Sequence, residues 1–187
     1  MKDLDVLPPD LPAPVDDGAC DHLPGTVLPT VPLPGTSGAQ TDLGALAGTT
    51  VVYFHPMIGR PDGPPLPGWN EIPGARGCTP QSCAFRDHHA ELGALGAAVY
   101  GVSVQPSADQ REAAARLHLP FELLSDAKLE LARALGLPTF EYDGRPLIKR
   151  LTLIVRDGRI VRVFYPVFPP DRNAADVIAW LRGDGGD

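Results

Sequence analysis

Sulfur is scarce in this chain, with three cysteines among 187 residues. A small, odd number does not build the disulfide framework of a small secreted domain, so the thiols are expected to start out reduced. Positive charge is in short supply too: 16 Lys+Arg stand against 23 Asp+Glu, for a net charge of −7. Phosphate backbones need a basic face, which argues against nucleic acid as a main partner. No apolar stretch approaches the length of a membrane span, so no membrane partner is expected. The opening MKDLDVLPPDLPAPVDD has neither the charged start nor the apolar core of a secretory signal. The expected compartment is the cytoplasm. What is present is ordinary for a globular fold: 43% hydrophobic and 21% charged residues, in a chain long enough for one domain with extra arms.

Proline is unevenly spread, with 14 of 22 in residues 1–73 and 8 in the remaining 114. Proline removes backbone donors and blocks helices, so the first third is expected to be arms and loops. Residues 1–25 read as a Pro-rich arm, poorly ordered or lying on the surface, with Asp3, Asp5, Asp10, Asp16 and Asp17 solvated; residues 26–183 read as the domain. Within the latter, GTVLPTVPLPGTSGAQTDLGAL suits a short edge hairpin. TTVVYF (49–54) is β-branched and aromatic, a buried strand. A Pro/Gly-rich loop of more than twenty residues follows, HPMIGRPDGPPLPGWNEIPGARG, of the kind that is usually functional or disordered.

A helix is expected from Thr79 to Leu95, then a buried strand at AAVYGVSV (97–104). Ser107 followed by Gln110 reads as a capping box opening the next helix. SDAKLELARALG is a short helix stopped by Gly136. RLTLIVRDGRIVRVFY gives two strands joined by Asp157-Gly158, a strong hairpin signal. DRNAADVIAWLR, with an Asp cap and Val177, Ile178 and Leu181 turned inward, closes the chain. The order predicts an α/β protein, a thioredoxin-like α/β/α sandwich with an N-terminal hairpin extension and a long insertion before the first helix.

Two of the three cysteines sit in GARGCTPQSCAFRD, at Cys78 and Cys83. Their spacing is too wide for a C-x-x-C redox pair and fits no usual zinc pattern. In the predicted layout Cys78 falls where the long loop meets the helix start, and unpaired N–H groups there favour a thiolate. The alternative is that both are small buried hydrophobes.

GCTPQSCAFRD resembles the active-site segment of the peroxiredoxins, in particular the bacterioferritin-comigratory-protein or Prx Q branch. VVYFHP resembles the strand ending in that family's motif proline. FELLSDAKLELARALGL and KRLTLIVRDGRI resemble two further family stretches, so the likeness runs from about Gly25 to the last helix. The resemblance implies a thioredoxin-dependent two-cysteine peroxidase that reduces hydrogen peroxide and small alkyl hydroperoxides without metal, haem or flavin. It makes Cys78 the peroxidatic cysteine, Cys83 the resolving cysteine and Arg150 the cation that steadies thiolate and peroxide. Gln81 would hold that arginine, Pro56 would shield the sulfur, and Thr79 lies beside it. Residues five apart on an intact helix have Cα atoms roughly 8.6 Å apart. Disulfides seldom tolerate more than about 7 Å, so the helix start is expected to unwind in each cycle.

Two departures stand out. Ala75 occupies the place of the family's motif threonine, so a donor to peroxide has to come from backbone amides or Thr79. The insertion, residues 57–74, is longer than the family's and is expected to pack near the thiol through Trp69 and Ile72. Cys20 reads as an incidental exposed thiol in the arm, His88 and His89 as solvated helix surface, and Trp180 as core. A second reading is a copper-handling protein of the Sco type, and a third is a thiol-disulfide carrier. The expected partners are a hydroperoxide and thioredoxin or a similar dithiol, with the protein a monomer or homodimer.

Overall fold

The run TTVVYF lies at the centre of the sheet. In the computed structural model, which describes residues 4 and 6–184, the elements follow in this order. A hairpin of β1 (Pro32–Pro34) and β2 (Gln40–Asp42) precedes β3 (Thr49–Phe54). The long loop leads to α1 (Cys78–Asp87) and α2 (His89–Ala94), then β4 (Ala97–Ser103), α3 (Ser107–Arg116), β5 (Glu122–Ser125) and α4 (Glu130–Leu135). The hairpin β6 (Thr139–Tyr142) and β7 (Arg145–Ile148) is followed by β8 (Leu151–Arg156), β9 (Arg159–Phe164) and α5 (Asn173–Asp184).

The main sheet has the order β5-β4-β3-β8-β9. β4 runs parallel to β3 and β5, whereas β8 runs antiparallel to β3 and β9. Alternation along β3 decides the two faces, since successive side chains point opposite ways. Val51 and Tyr53 face a layer made by Phe85, Leu92, Ala113, Val177 and Ile178, contributed by α1, α2, α3 and α5. Val52 and Phe54 face Leu131 and Leu135 of α4, together with Cys20, Leu23, Leu28, Leu33 and Leu43 from the first third of the chain. Each fully buried Leu or Phe contributes roughly 1.5–3 kcal/mol relative to exposure. The expected α/β/α layering is what the chain adopts.

The Pro-rich N-terminal stretch is not a loose tail. Leu4, Cys20 and Leu23 are buried. Residues 25–28 lie along β9 through Gly25 N–H to Ile160 O (2.8 Å) and Leu28 N–H to Gly158 O (2.8 Å). On the opposite edge Thr36 N–H donates to Leu123 O at 3.0 Å on β5. Both sheet edges are thereby covered, which removes the pairing hazard of an open strand. Asp3 and Asp5 lie outside the described residues. Asp17 pairs with Lys149 (2.9 Å) and accepts from the Tyr165 hydroxyl (2.8 Å), and these partners hold its carboxyl down to about 2.

Several local expectations are corrected. The single helix over Thr79–Leu95 is two, α1 and α2, separated at His88. Ser107 and Gln110 form no capping box. Ser107 is the first helical residue, and the buried Gln110 amide donates to Ser103 Oγ and Leu124 O, both at 2.9 Å. Asp171 lies inside a 3₁₀ turn (Pro170–Arg172), and α5 starts at Asn173. The short strands β5, β6 and β7 add to the predicted order. Trp180 is half-buried, with the Arg156 guanidinium 5.6 Å from its ring centre. The Asp157-Gly158 hairpin turn is as expected, with φ of 46° and 76° at its two residues.

Candidate active site

Gly77 makes the site possible. Its φ is 109°, and a Cβ there would lie 2.3 Å from Pro170 Cγ, so only glycine fits between the loop and the turn before α5. The next residue, Cys78, opens α1 and is 3% exposed. Two N–H donors converge on its sulfur: Arg150 Nη2 at 3.2 Å and the backbone N–H of Met57 at 3.4 Å. The thiol's own hydrogen faces Ala75 O at 3.7 Å. Met57 follows the buried Pro56 at the end of β3, so the strand's exit presents that amide to the sulfur.

Arg150 immediately precedes β8 and is 3% exposed. Nε donates to Gly74 O at 3.3 Å, and Nη2 to Ala75 O at 3.1 Å and Arg76 O at 3.2 Å. Nη1 donates to the Gln81 side-chain oxygen. Gln81 in turn donates to Asn173 Oδ1 at 3.0 Å, and Thr152 Oγ1 donates to the same oxygen at 2.7 Å. Every one of these acceptors on the guanidinium is neutral. They fix its orientation without cancelling its charge, which is left to act on the sulfur. Sequence reasoning brought Cys78, Gln81 and Arg150 together; it missed Asn173, Thr152 and the Met57 amide. Asn at a helix start is a signal that could have flagged Asn173.

Cys83 is half-buried on the same helix, and neither cysteine is in a disulfide. On either side of Cys83 α1 is pinned to β3: Tyr53 OH donates to Ser82 Oγ at 3.0 Å, and the Tyr53 and Phe85 rings stack at 4.6 Å. Thr79 is buried and borders a small hollow of about 20 Å³ over the Cys78 sulfur, which Trp69 of the insertion also lines. Ile72 lines a different cavity, which Arg150 also borders. Cys20 is not an exposed thiol. It is 4% exposed and belongs to the opposite face of the sheet from Cys78, and burial, then the neighbouring Asp17, Asp16 and Asp21, push it up to about 12.

His55, unremarked in the sequence, is fully buried one residue beyond β3. It stacks on Tyr53 at 5.6 Å, and neither ring nitrogen meets a hydrogen-bond partner among the described residues. Burial, then the charge of Arg150, pushes it down to about 3, so the imidazole beside the site is neutral. His88 remains at the surface, with Nδ1 3.1 Å from Glu91.

The redoxin family model matches residues 23–178. The chloroplastic peroxiredoxin Q of Gentiana triflora is 28% identical over 160 residues, 84% of this chain and 66% of that protein. That of Triticum aestivum is 30% identical over 156 residues, covering 82% and 64%. This chain therefore spans about two thirds of the length of these curated relatives. Among solved structures, peroxidoxin BcpB of Mycobacterium tuberculosis superposes with a TM-score of 0.71 at 26% identity, covering 87% of this chain and 98% of that one. A PrxQ mutant from Xylella fastidiosa gives 0.71 at 21% identity, covering 88% and 98%, and carries the fold alone. The chain belongs to the redoxin family, on its peroxiredoxin Q branch.

Proposed function

We propose that this protein is a thiol peroxidase that reduces hydrogen peroxide and small alkyl hydroperoxides through Cys78. The observation that carries this reading is the pair of donors on one sulfur, Arg150 Nη2 and the Met57 amide, at the start of α1. Such preorganised donors stabilise negative charge on sulfur and on the peroxide oxygens as the O–O bond breaks. The Met57 amide is the backbone donor proposed here to take the place of the threonine hydroxyl that Ala75 lacks. The Cys78 thiolate attacks the terminal oxygen of R–O–OH and the O–O bond breaks. The alkoxide takes up the proton that the thiol lost, giving Cys78–SOH and ROH. Cys83–SH then displaces water to form the Cys78–Cys83 disulfide, and thioredoxin or a similar dithiol reduces it. No metal, haem or flavin enters these steps. The proposed setting is the cytoplasm, with the protein a monomer or homodimer.

The copper-handling reading lacks support from side-chain placement. Among the described residues no three His, Cys, Asp or Glu side chains converge, and a cation, Arg150, donates to the Cys78 sulfur. The test is a peroxide titration of the reduced protein followed by intact mass. The expected product has lost two daltons with one equivalent of peroxide, and is restored by thioredoxin, thioredoxin reductase and NADPH. A protein whose mass is unchanged by peroxide would overturn the reading.

A further inference from the structure

Arg150 reaches the Cys78 sulfur with Nη2 and also borders a cavity of about 380 Å³ that Cys78 does not line. Pro14 and Val15 of the arm, Ile72 of the insertion and Phe140 of β6 form its apolar walls. The arm and the insertion touch at this point, where a Cβ on Gly74 would stand 3.5 Å from Pro14 Cγ. Gly74 O is in turn the acceptor for Arg150 Nε at 3.3 Å. Lys149, Arg150 and Tyr165 make up the side of the cavity that carries polar groups.

The charge of this lining runs against that of the chain. The protein carries −7, yet two consecutive cations and no carboxylate border the space. Asp17 and Asp16 stand near Tyr165, but both are exposed and neither borders the cavity. Asp17 offsets Lys149, which leaves the charge of Arg150, whose oxygen acceptors are all neutral. Arg150 donates to Gly74, Ala75, Arg76, Gln81 and the sulfur, so it offers the cavity a field rather than a contact. Lys149 offers the contact. Its ammonium has three protons and meets two acceptors, Asp17 at 2.9 Å and the Tyr165 oxygen at 3.4 Å. One proton is left for a ligand. The volume lies near the lower end of the roughly 300–1,000 Å³ of small-molecule sites, which suits a body of one ring or a short branched chain.

We propose that this cavity binds a monocarboxylate with a compact apolar body, and that the bound carboxylate damps the reactivity of Cys78 through Arg150. The carboxylate accepts from Lys149, and the body lies along Ile72 and Phe140. The damping rests on the peroxidase reading above. A guanidinium that faces one anion stabilises a second anion less, so the thiolate and the charge developing on the peroxide oxygens lose part of their support. Peroxide itself is not displaced, because Cys78 and Thr79 border a separate hollow.

The test uses the full reduced chain and sodium phenylacetate, with sodium chloride holding the ionic strength constant. Calorimetric titration should show one site per chain. Phenylacetamide keeps the ring and loses the charge, whereas acetate keeps the charge and loses the ring; each should bind about tenfold more weakly or worse. Lys149→Gln should lower phenylacetate affinity about tenfold, while Asp17→Asn, which removes the competing anion, should raise it. Stopped-flow oxidation by hydrogen peroxide should slow to a plateau about fivefold below the ligand-free rate. No binding of phenylacetate, equal binding of phenylacetamide, or parent affinity in Lys149→Gln overturns the site. Weaker binding in both variants traces the effect to the order of the arm and overturns the role of the Lys149 charge. A rate that falls toward zero puts the carboxylate in the hollow over Cys78 and overturns the site as well. An unchanged rate at saturation overturns the link to Arg150. Phenylacetate binding in a protein that never reacts with peroxide overturns the peroxidase reading and leaves the cavity site standing.

Discussion

Arg150 shows how a single charged side chain can be buried and still be useful. Its guanidinium is oriented by carbonyl and amide oxygens, so the site gains direction without an opposing carboxylate. Replacing Arg150 with Met should slow the second-order oxidation of Cys78 by about 100-fold or more, the usual loss when a transition-state donor is removed. Stopped-flow fluorescence of the reduced protein reads that rate directly, and an unchanged value would take Arg150 out of the chemistry. Cys78, Gln81 and Arg150 were legible in the sequence because each falls in a short stretch that resembles a peroxiredoxin motif. Asn173 was not, since its bond to Gln81 spans 92 residues and exists only once the sheet is assembled. His55 was hidden for another reason: nothing in VVYFHP marks a histidine that ends up without a partner. Its pH effect has a definite sign. The unfolded chain binds a proton at His55 near pH 6.5, whereas in the folded protein the imidazole is pushed down to about 3. Stability from this group is therefore complete above pH 6.5 and is lost as pH falls toward 3, by at most about 1.4 kcal/mol per pH unit. Denaturant unfolding at pH 7 and pH 5 should show a smaller difference for His55→Phe than for the parent. Equal differences would mean that the ring takes up its proton in the fold over the same pH range as in the unfolded chain.

Helix α1 carries the two thiols, and its attachment to β3 sets how readily they meet. An unbroken helix holds residues five apart beyond disulfide reach, so Cys78–Cys83 bonding needs the first turns to open. The Tyr53–Ser82 hydrogen bond and the Tyr53–Phe85 stack resist that opening. Tyr53→Phe keeps the stack and removes the bond, worth about 1 kcal/mol. Disulfide formation from the sulfenic acid should then speed up about fivefold, while the initial attack on peroxide stays as it was. Rapid-quench mass spectrometry separates the two steps, and a slower second step would show that α1 opens elsewhere. The elements read best from sequence were those with strong local signals: the β-branched β3, the Asp157-Gly158 turn, and Gly136 ending α4 with φ of 61°. The break between α1 and α2 had no such signal, because neither proline nor glycine marks His88. Strands β6 and β7 are four residues each and one contains Pro146, so neither shows the alternation that betrays a longer strand.

At the scale of the molecule, the Pro-rich first third acts as a clamp. It caps both edges of the sheet, supplies Leu23, Leu28 and Leu33 to one core and brings Leu4 over the thiol on the other face. Composition announced extended chain there but could not say where it would lie, since proline restricts local geometry and not tertiary contacts. The clamp also separates the thiols. Cys20 packs against the layer under Val52 and Phe54, whereas Cys78 faces the layer under Tyr53, with the sheet between them. Peptide mapping of the oxidised protein without reduction should accordingly find Cys78 joined to Cys83 and Cys20 unmodified. Cys83→Ser should react once with peroxide and stall as a sulfenic acid, adding one oxygen at low peroxide and two or three at higher concentration. Cys78→Ser should consume none. Cys20→Ser should complete the cycle at the parent rate yet unfold at lower denaturant, by about 1–3 kcal/mol, because a hydroxyl in that core is cut off from water. A Cys78–Cys20 bridge, within one chain or between two, would require the clamp to leave the sheet, and would replace the local trap on α1 with an arm that carries the second thiol.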